Sequence, residues 1–187
     1  MSTDSETIHK LFRELLAAAG DHPDRAGLLR TPARALDSFL ELTRGLREDP
    51  ALLLQDGVFD DPSSDLVMVR HIAFTSLCEH HLLPFTGWAD VAYLPNGRLP
   101  GLSRIARIVE HFACRPQVQE RMTAQIADFI MDAIQPQALG VRVMARHLCM
   151  TARGIRKQET EVMTMAWRRC DTCSSESWAT FQATIHD

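Results

Sequence analysis

Residues 66–75, LVMVRHIAFT, and residues 87–94, GWADVAYL, are two stretches rich in branched and aromatic side chains. Such side chains fit the pleated surface of a β-strand, so both stretches are predicted to be strands. The segment that joins them carries Cys78 to Phe85, and Pro95-Asn96-Gly97 marks a turn after the second stretch. The chain therefore contains a pair of neighbouring strands, around which the other elements can be ordered.

Two helices and two further strands are predicted after this pair. Apolar residues recur at helical spacing over residues 102–112, and again in a second helix that we expect to open at Pro116. Strands are expected at 139–149 and near 161–168. The order strand, strand, helix, helix, strand, strand predicts an α+β fold, with an antiparallel sheet that is covered by the helix pair on one face.

The residues before the strand pair are predicted to form a helical arm. Their apolar side chains follow a helical spacing, and Gly20 offers a stop for the first helix. Thr31-Pro32 is typical of a helix start, because threonine can cap a helix and proline is tolerated at its first position. The polar run at 60–64, DDPSS, is the best candidate for a linker. We therefore predict an arm over residues 1–65 and a second domain over residues 66–187.

Composition and charge exclude some classes of function and favour others. The 187 residues are 45% hydrophobic and 24% charged, as in a folded globular chain. The formal net charge of −4 argues against a dedicated nucleic-acid binder. Residues 1–65 hold 13 acidic and 7 basic residues, whereas residues 66–187 hold 11 acidic and 13 basic residues, 12 of them arginine. Because arginine suits phosphate, an anionic small molecule is expected in the second part, although a solvated surface would give the same counts.

The same sequence predicts a cytoplasmic protein without a membrane span. No apolar run approaches the ~20 residues that a span requires, and the first residues do not resemble an export signal. Five cysteines is an odd number, and without a secretory context it argues against a disulfide framework. Cysteine beside histidine in such a chain points to metal binding or catalysis.

A metal site is predicted around Cys78-Glu79-His80-His81. Cys78 and His81 lie three residues apart in a turn, so a sulfur and a nitrogen can reach one ion, and zinc accepts this mixture. A third ligand must come from elsewhere. If residues 139–149 form one strand, alternate side chains share a face, and that apolar face ends in His147 and Cys149.

The provisional zinc ligands are therefore Cys78, His81 and Cys149, with the fourth position left to water. His80 and His147 would then stand beside the metal as proton carriers. Two alternatives stay open at this stage. One of these histidines could close the shell of a structural zinc, and a buried thiol beside a satisfied histidine would explain each residue of the strand taken alone.

The two central helices offer residues that could bind an anion and a base. Ser103, Arg104 and Arg107 lie away from the apolar stripe, near a helix start of the kind that suits phosphate. Gln119 and Glu120 could read the amide and amino edge of guanine. The alternatives are a capping role for Ser103 and a helix-dipole role for Glu120.

The remaining cysteines give weaker indications of a function than Cys78 and Cys149 do. Cys170-x-x-Cys173 could be a redox pair or half of a metal site, but the sequence offers no second half-site. Accessible or partly buried thiols are the simpler interpretation, and Cys114 is expected in the core.

Three stretches together resemble GTP cyclohydrolase I, and TPAR at 31–34 matches a weaker motif of that family. The stretches are SLCEHHLLPF at 76–85, GLSRIARIVEHFACRPQVQERMTAQI at 101–126 and HLCMTARGIRKQ at 147–158. The resemblance implies the tunnelling fold, with sheets of neighbouring subunits joined into barrels in a homo-oligomer, a decameric ring. It also implies a zinc-dependent hydrolase that converts GTP into formate and 7,8-dihydroneopterin triphosphate, the entry to pterins and folate.

The resemblance also implies roles, carried over position by position. The matching zinc ligands are Cys78, His81 and Cys149. The matching proton carriers are His80 and His147, and Ser103 matches the serine linked to rearrangement of the opened sugar. The residues that match those recognising guanine are Gln119 and Glu120. The residues that match those holding the triphosphate, partly across a subunit boundary, are Arg34, Arg104, Arg107 and Arg153.

A few residues depart from the family pattern. Arg104 stands where lysine is usual, Asp37 where a base is frequent, and His71 where an acid is common. Asp37 and Arg104 motivate a first alternative, a paralogue with the same chemistry in a secondary pathway or on a modified guanine nucleotide. A second alternative is a non-catalytic zinc-stabilised scaffold that binds nucleotides or a partner.

Overall fold

A computed structural model describes residues 5–171, 173–174, 178–179 and 181–183 of the chain. The chain divides into two compact units, Met1–Thr43 and Arg44–Asp187. This division precedes the predicted linker, because residues 44–65 are tied to the second unit. There strand β1, Val58–Asp60, pairs antiparallel with the later strand Arg98–Pro100.

The first unit contains two helices of the arm predicted over residues 1–65, α1 (Ser5–Ala18) and α2 (Thr31–Leu42). Gly20 has a φ of 89°, a left-handed conformation that suits glycine just after a helix. Thr31 is the first helical residue of α2, so the capping position is Arg30, whose side chain makes no capping hydrogen bond. The proline that follows Thr31 is tolerated because the first helical N–H groups have no partner within the helix.

The second unit is built on a five-stranded sheet, whose order is β5-β2-β3-β6-β7. Its strands β2, β3, β6 and β7 are antiparallel neighbours, and short β5 runs parallel to β2. Short β4 lies outside it and pairs with β1. The strand bounds are β2 Val67–Cys78, β3 Pro84–Leu94, β4 Arg98–Pro100, β5 Pro116–Gln117, β6 Ala138–His147 and β7 Val162–Arg169. The predicted antiparallel sheet is therefore confirmed.

Two boundaries differ from the prediction, and both affect the site. Pro116 does not open a helix: it lies in β5 at the edge of the sheet, where a residue without an N–H is tolerated. The strand predicted at 139–149 ends at His147, and Cys149 lies in a short helix, α5, Leu148–Thr151.

One face of the sheet packs against the helix pair, α3 (Leu102–Ala113) and α4 (Gln119–Ile134). The apolar stripes predicted for both helices are largely buried, except that Leu102 is exposed. The large apolar side chains of the pair that are fully buried are Ile105, Ile108, Val109, Met122, Ile126, Ile130 and Ile134. They meet alternate residues of the central strands, which are Ala89, Val91, Tyr93, Leu139, Val141 and Val143. This core holds the ends of β2 and β6 in place, where the candidate site lies.

Asp90 joins three parts of the sheet from a buried position. Its carboxylate accepts hydrogen bonds from Arg142 Nε at 3.0 Å and Nη2 at 2.8 Å, and from the His71 backbone N–H at 2.7 Å. His71 has a φ of 56° and lies at a bulge between Val69 and Ile72. The His71 side chain is exposed, so histidine in place of the acid that is common in the resembled family changes only the surface of the protein.

A smaller cluster lies around the chain segment that follows β7. It contains buried Ala92, Ala138, Cys173 and Phe181, with Trp167 and Trp178 packed against them. Cys114 is buried and Cys170 is half-buried, as predicted, whereas Cys173 is buried and is not the accessible or partly buried thiol that was expected. In the part of the chain that the structure describes, none of the helices is long and apolar enough to cross a membrane.

Gly87→Ala is expected to destabilise the protein strongly. Gly87 pairs with Ala145 across β3 and β6, and a Cβ atom at residue 87 would lie 1.8 Å from the Met144 carbonyl oxygen. Because the clashing atoms are backbone, no rotamer change relieves the contact, and we expect a loss of about 3 kcal/mol in the free energy of unfolding. Denaturant unfolding at matched protein concentration measures this loss. Gly101→Ala is the control, since the nearest atoms to a Cβ there lie at 3.8 Å; equal losses in both variants would contradict the close approach of β3 and β6.

Candidate active site

The end of β2 and the turn after it bring Cys78 and His81 together. The Cys78 carbonyl accepts from the backbone N–H groups of His81 at 3.2 Å and Leu82 at 2.7 Å, while the Cys78 N–H donates to the Leu83 carbonyl at 2.9 Å. Leu82 closes this turn with a φ of 54°. As a result, Cys78 Sγ lies 3.7 Å from His81 Nδ1.

Cys149 completes a cluster of three potential metal ligands. Its Sγ and the ligand atoms of Cys78 and His81 all lie within 4.8 Å of one another. Cys149 reaches the cluster from α5, the helical turn after β6, and the strand alternation used to predict it does not apply. Two thiols and one imidazole are a donor set that zinc accepts, and three donors are what an open site requires. The residues present therefore fit a metal ion.

The surroundings of Cys149 change the pKa of its thiol. Burial raises its pKa, and the nearby Cys78 adds to the increase through its charge and a hydrogen bond, whereas Arg153 opposes it. Without a cation, both effects favour the protonated thiol. A bound cation inverts this preference, because it stabilises the thiolate that ligates it.

His147 lies at the end of β6 and is held on two sides. Its ring stacks on the buried ring of Phe85, with centroids 4.4 Å apart and an angle of 2° between the planes. Its Nε2 lies 2.8 Å from Gln119 Oε1. Burial lowers the pKa of His147, and the charge of Glu120 opposes that shift. Burial therefore favours the neutral imidazole, and the two contacts fix its orientation.

His80, unlike His147, lies at the surface. Its side chain is 67% exposed, and its Nε2 lies 3.8 Å from Glu79 Oε1. Glu79 in turn contacts Arg121, whose hydrogen bond lowers the pKa of the Glu79 carboxyl. His80 can thus reach a bound molecule, and a carboxylate that stays ionised lies next to it.

The predicted substrate-binding residues are spread over several elements. Ser103 and Arg107 are exposed on α3, Glu120 is exposed at the start of α4, and Arg153 is exposed in the loop after α5. Half-buried Arg104 donates from Nη1 to the Leu53 carbonyl at 3.1 Å. Arg34 is exposed on α2 of the first unit. Gln119 differs from all of these, because only 1% of it is exposed.

Comparison with known proteins decides the family. The sequence model of GTP cyclohydrolase I matches residues 8–185. The chain belongs to the GTP cyclohydrolase I family. The α+β fold described above is accordingly the tunnelling fold of GTP cyclohydrolase I, and the chain is an enzyme.

Relatives in this family are similar over most of their length. A GTP cyclohydrolase 1 from Rhodopirellula baltica is 48% identical over 165 residues, which are 88% of this chain and 72% of the relative. One from Chlorobium phaeovibrioides is 46% identical over 89% of this chain and 73% of the relative. One from Corynebacterium glutamicum is 47% identical over 88% and 85%. Among solved structures, an apo archaeosine synthase QueF-Like has a TM-score of 0.42 and 19% identity, covering 57% of this chain and 94% of that chain.

Sequence reasoning missed three residues around His147 and Gln119 in this GTP cyclohydrolase I family member. Phe85 stacks on His147. Thr123 Oγ1 donates to the Gln119 backbone carbonyl, and Gln119 Nε2 donates to Thr164 Oγ1. Phe85 was seen only as part of a matching stretch, and Thr123 and Thr164 were not singled out as partners of Gln119. Thr123 lies four residues after Gln119, one turn further along the same helix, so helical spacing could have indicated it. The pairing of Thr164 with α4 depends on how β7 packs and has no signal in local sequence.

Proposed function

We propose that this protein is a GTP cyclohydrolase I that binds zinc through Cys78, His81 and Cys149 and hydrolyses the imidazole ring of guanine in GTP. The products would be formate and 7,8-dihydroneopterin triphosphate. The observation that supports this most is the convergence of three metal donors within 4.8 Å, contributed by two separate segments of the family motif. The cytoplasmic location and the pterin and folate pathway stay predictions.

The donor set supports a catalytic rather than a closed metal site. Nε2 of His147 is engaged by Gln119, and His80 is largely exposed, so neither histidine belongs to the described cluster of three donors. The chemistry that zinc supplies in such a site is activation of a water molecule for attack on carbon.

His147 and His80 would move the protons of the reaction. Guanine C8 becomes electrophilic when N7 is protonated, and addition of water at C8 followed by cleavage of the C8–N9 bond leaves a formamide. A second hydrolysis releases C8 as formate and frees an amine. The neutral, rigid imidazole of His147 can take up a proton and return it, and exposed His80 can do so from the solvent side.

Ser103 and the predicted arginines would bind the substrate and guide the later steps. Ser103 would assist rearrangement of the opened ribose to a ketone, which then condenses with the freed amine and releases one water molecule. The exposed guanidinium groups of Arg107 and Arg153 suit a triphosphate, which is retained and serves to orient the substrate. Arg34 and Arg104 are proposed for the same task. We further propose a homo-oligomer, a decameric ring, in which residues from neighbouring subunits complete each site.

Zinc-loaded protein is expected to release formate and a pterin from GTP in equal amounts. Formate is measured directly, and the pterin is followed by its fluorescence after oxidation. Protein stripped of metal is the control, and GDP and guanosine test whether the triphosphate is required. Formate without pterin would contradict the full reaction and point to failure of the rearrangement at Ser103. Neither product, from folded protein with zinc bound, would contradict the proposed activity and favour a scaffold.

A further inference from the structure

The side chain of Gln119 is fully engaged inside the protein. Its Nε2 donates to the Val162 carbonyl at 2.9 Å, and it also lies 3.2 Å from the Val143 carbonyl and from Thr164 Oγ1. A carbonyl oxygen can only accept, so the amide nitrogen must face β6 and β7. The amide oxygen therefore faces the opposite way, toward His147.

A pair of threonine hydroxyls reinforces this orientation. Thr123 Oγ1 donates its single proton to the Gln119 backbone carbonyl at 2.8 Å. Thr164 Oγ1 lies 2.6 Å from Thr123 Oγ1 and must therefore be the donor of that bond. The lone pairs of Thr164 are left to accept from Gln119 Nε2. A flipped amide would set its oxygen against three acceptors, two of them backbone carbonyls.

The fixed amide determines the tautomer of His147. Gln119 Oε1 has no proton to donate, so the 2.8 Å contact requires a proton on His147 Nε2. In the neutral ring the other nitrogen, Nδ1, then carries the lone pair. Stacking on Phe85 restricts the ring to one plane, and the bond to Gln119 restricts its rotation within that plane.

We propose that Gln119 is a positioning residue for His147 and does not contact guanine: it holds the imidazole as the Nε2–H tautomer, so that Nδ1 is the nitrogen that exchanges protons. This inference rests on the proposed function, in which His147 is a proton carrier. It revises the role that the family resemblance implies for Gln119. The neighbouring Glu120, whose side chain is exposed, would then be the residue that recognises guanine.

The test is a comparison of kcat and KM in Gln119→Met, which keeps the size of the side chain and removes its hydrogen bonds. Loss of a correctly held proton carrier is expected to lower kcat by about 100-fold, while KM for GTP stays within about threefold, because binding is not altered. Glu120→Gln is expected to raise KM instead. Gln125→Met is the matched control: it is a half-buried glutamine of the same helix, hydrogen-bonded to Gln117, and should keep both parameters.

A raised KM with an unchanged kcat in Gln119→Met would overturn the inference and restore the guanine contact. This outcome is distinct from failure of the proposed function, in which the zinc-loaded wild-type protein itself would release no formate.

Because Gln119 is buried, Gln119→Met could fail to fold, so a second measurement uses the wild-type protein. Solid-state NMR of ¹⁵N-histidine-labelled protein reports which ring nitrogen carries the proton, and His147→Asn identifies the His147 signals. A proton on Nε2 supports the inference, and a proton on Nδ1 alone overturns it.

Discussion

Cys149→Ser is expected to remove zinc and turnover together. Cys149 Sγ lies within 4.8 Å of the Cys78 and His81 ligand atoms, and a hydroxyl is a much poorer zinc ligand than a thiolate. Changes outside the ligand shell already weaken metal affinity by 10- to 100-fold, so we expect a loss of more than about 100-fold here. Metal content after dialysis and formate release from GTP measure the two effects.

Cys170→Ser is the control for this prediction. Cys170 is a half-buried thiol in the cluster around Trp167 and Trp178, and it is not among the described metal donors. That variant should keep both zinc and turnover. If Cys149→Ser retained its full zinc content, Cys149 would not be a ligand, and the metal centre as proposed would be wrong.

His147→Ala is expected to keep zinc and lose turnover. The His147 ring is held by Phe85 and Gln119, and its Nε2 is already used in the contact with Gln119, so its removal should leave the three metal donors in place. A proton carrier contributes about 10²- to 10⁴-fold to a rate, and kcat for formate release should fall by that range.

The control for His147→Ala is His22→Ala, which removes an exposed histidine of the first unit and should leave kcat unchanged. Metal content is measured on the same samples. Loss of zinc from His147→Ala would identify His147 as a ligand and favour the closed, structural metal site over the open one.

Local sequence pattern predicted most of the fold. The branched and aromatic side chains of β3, the alternation in β6 and the helical stripes of α3 and α4 are properties of neighbouring residues, so they can be recognised before the chain is folded. Bounds were less accurate where two elements meet. Cys149 shows the limit: it was predicted as a ligand from strand alternation, yet the strand ends at His147 and the next residues turn into α5.

The family motifs also predicted the metal donors, but not how the site is supported. Cys78 and His81 lie in one turn, so their spacing alone places them near one ion. The role of Gln119 depends on carbonyls of β6 and β7 and on a threonine of β7, which are up to 45 residues away in sequence. A polar residue at the start of a helix looks accessible in sequence, and only packing of that helix against the sheet buries it.

The sequence by itself determined the order of strands and helices, the family, and the two cysteines and one histidine that lie together as potential metal donors. These features follow from residue type and short-range spacing. Only the tertiary structure decided that residues 44–65 join the second unit, that Cys149 arrives from a helical turn, and that Gln119 faces His147. The physical reason is that burial and hydrogen-bond partners are set by segments distant in the chain, and a buried amide must take the orientation in which every donor meets an acceptor.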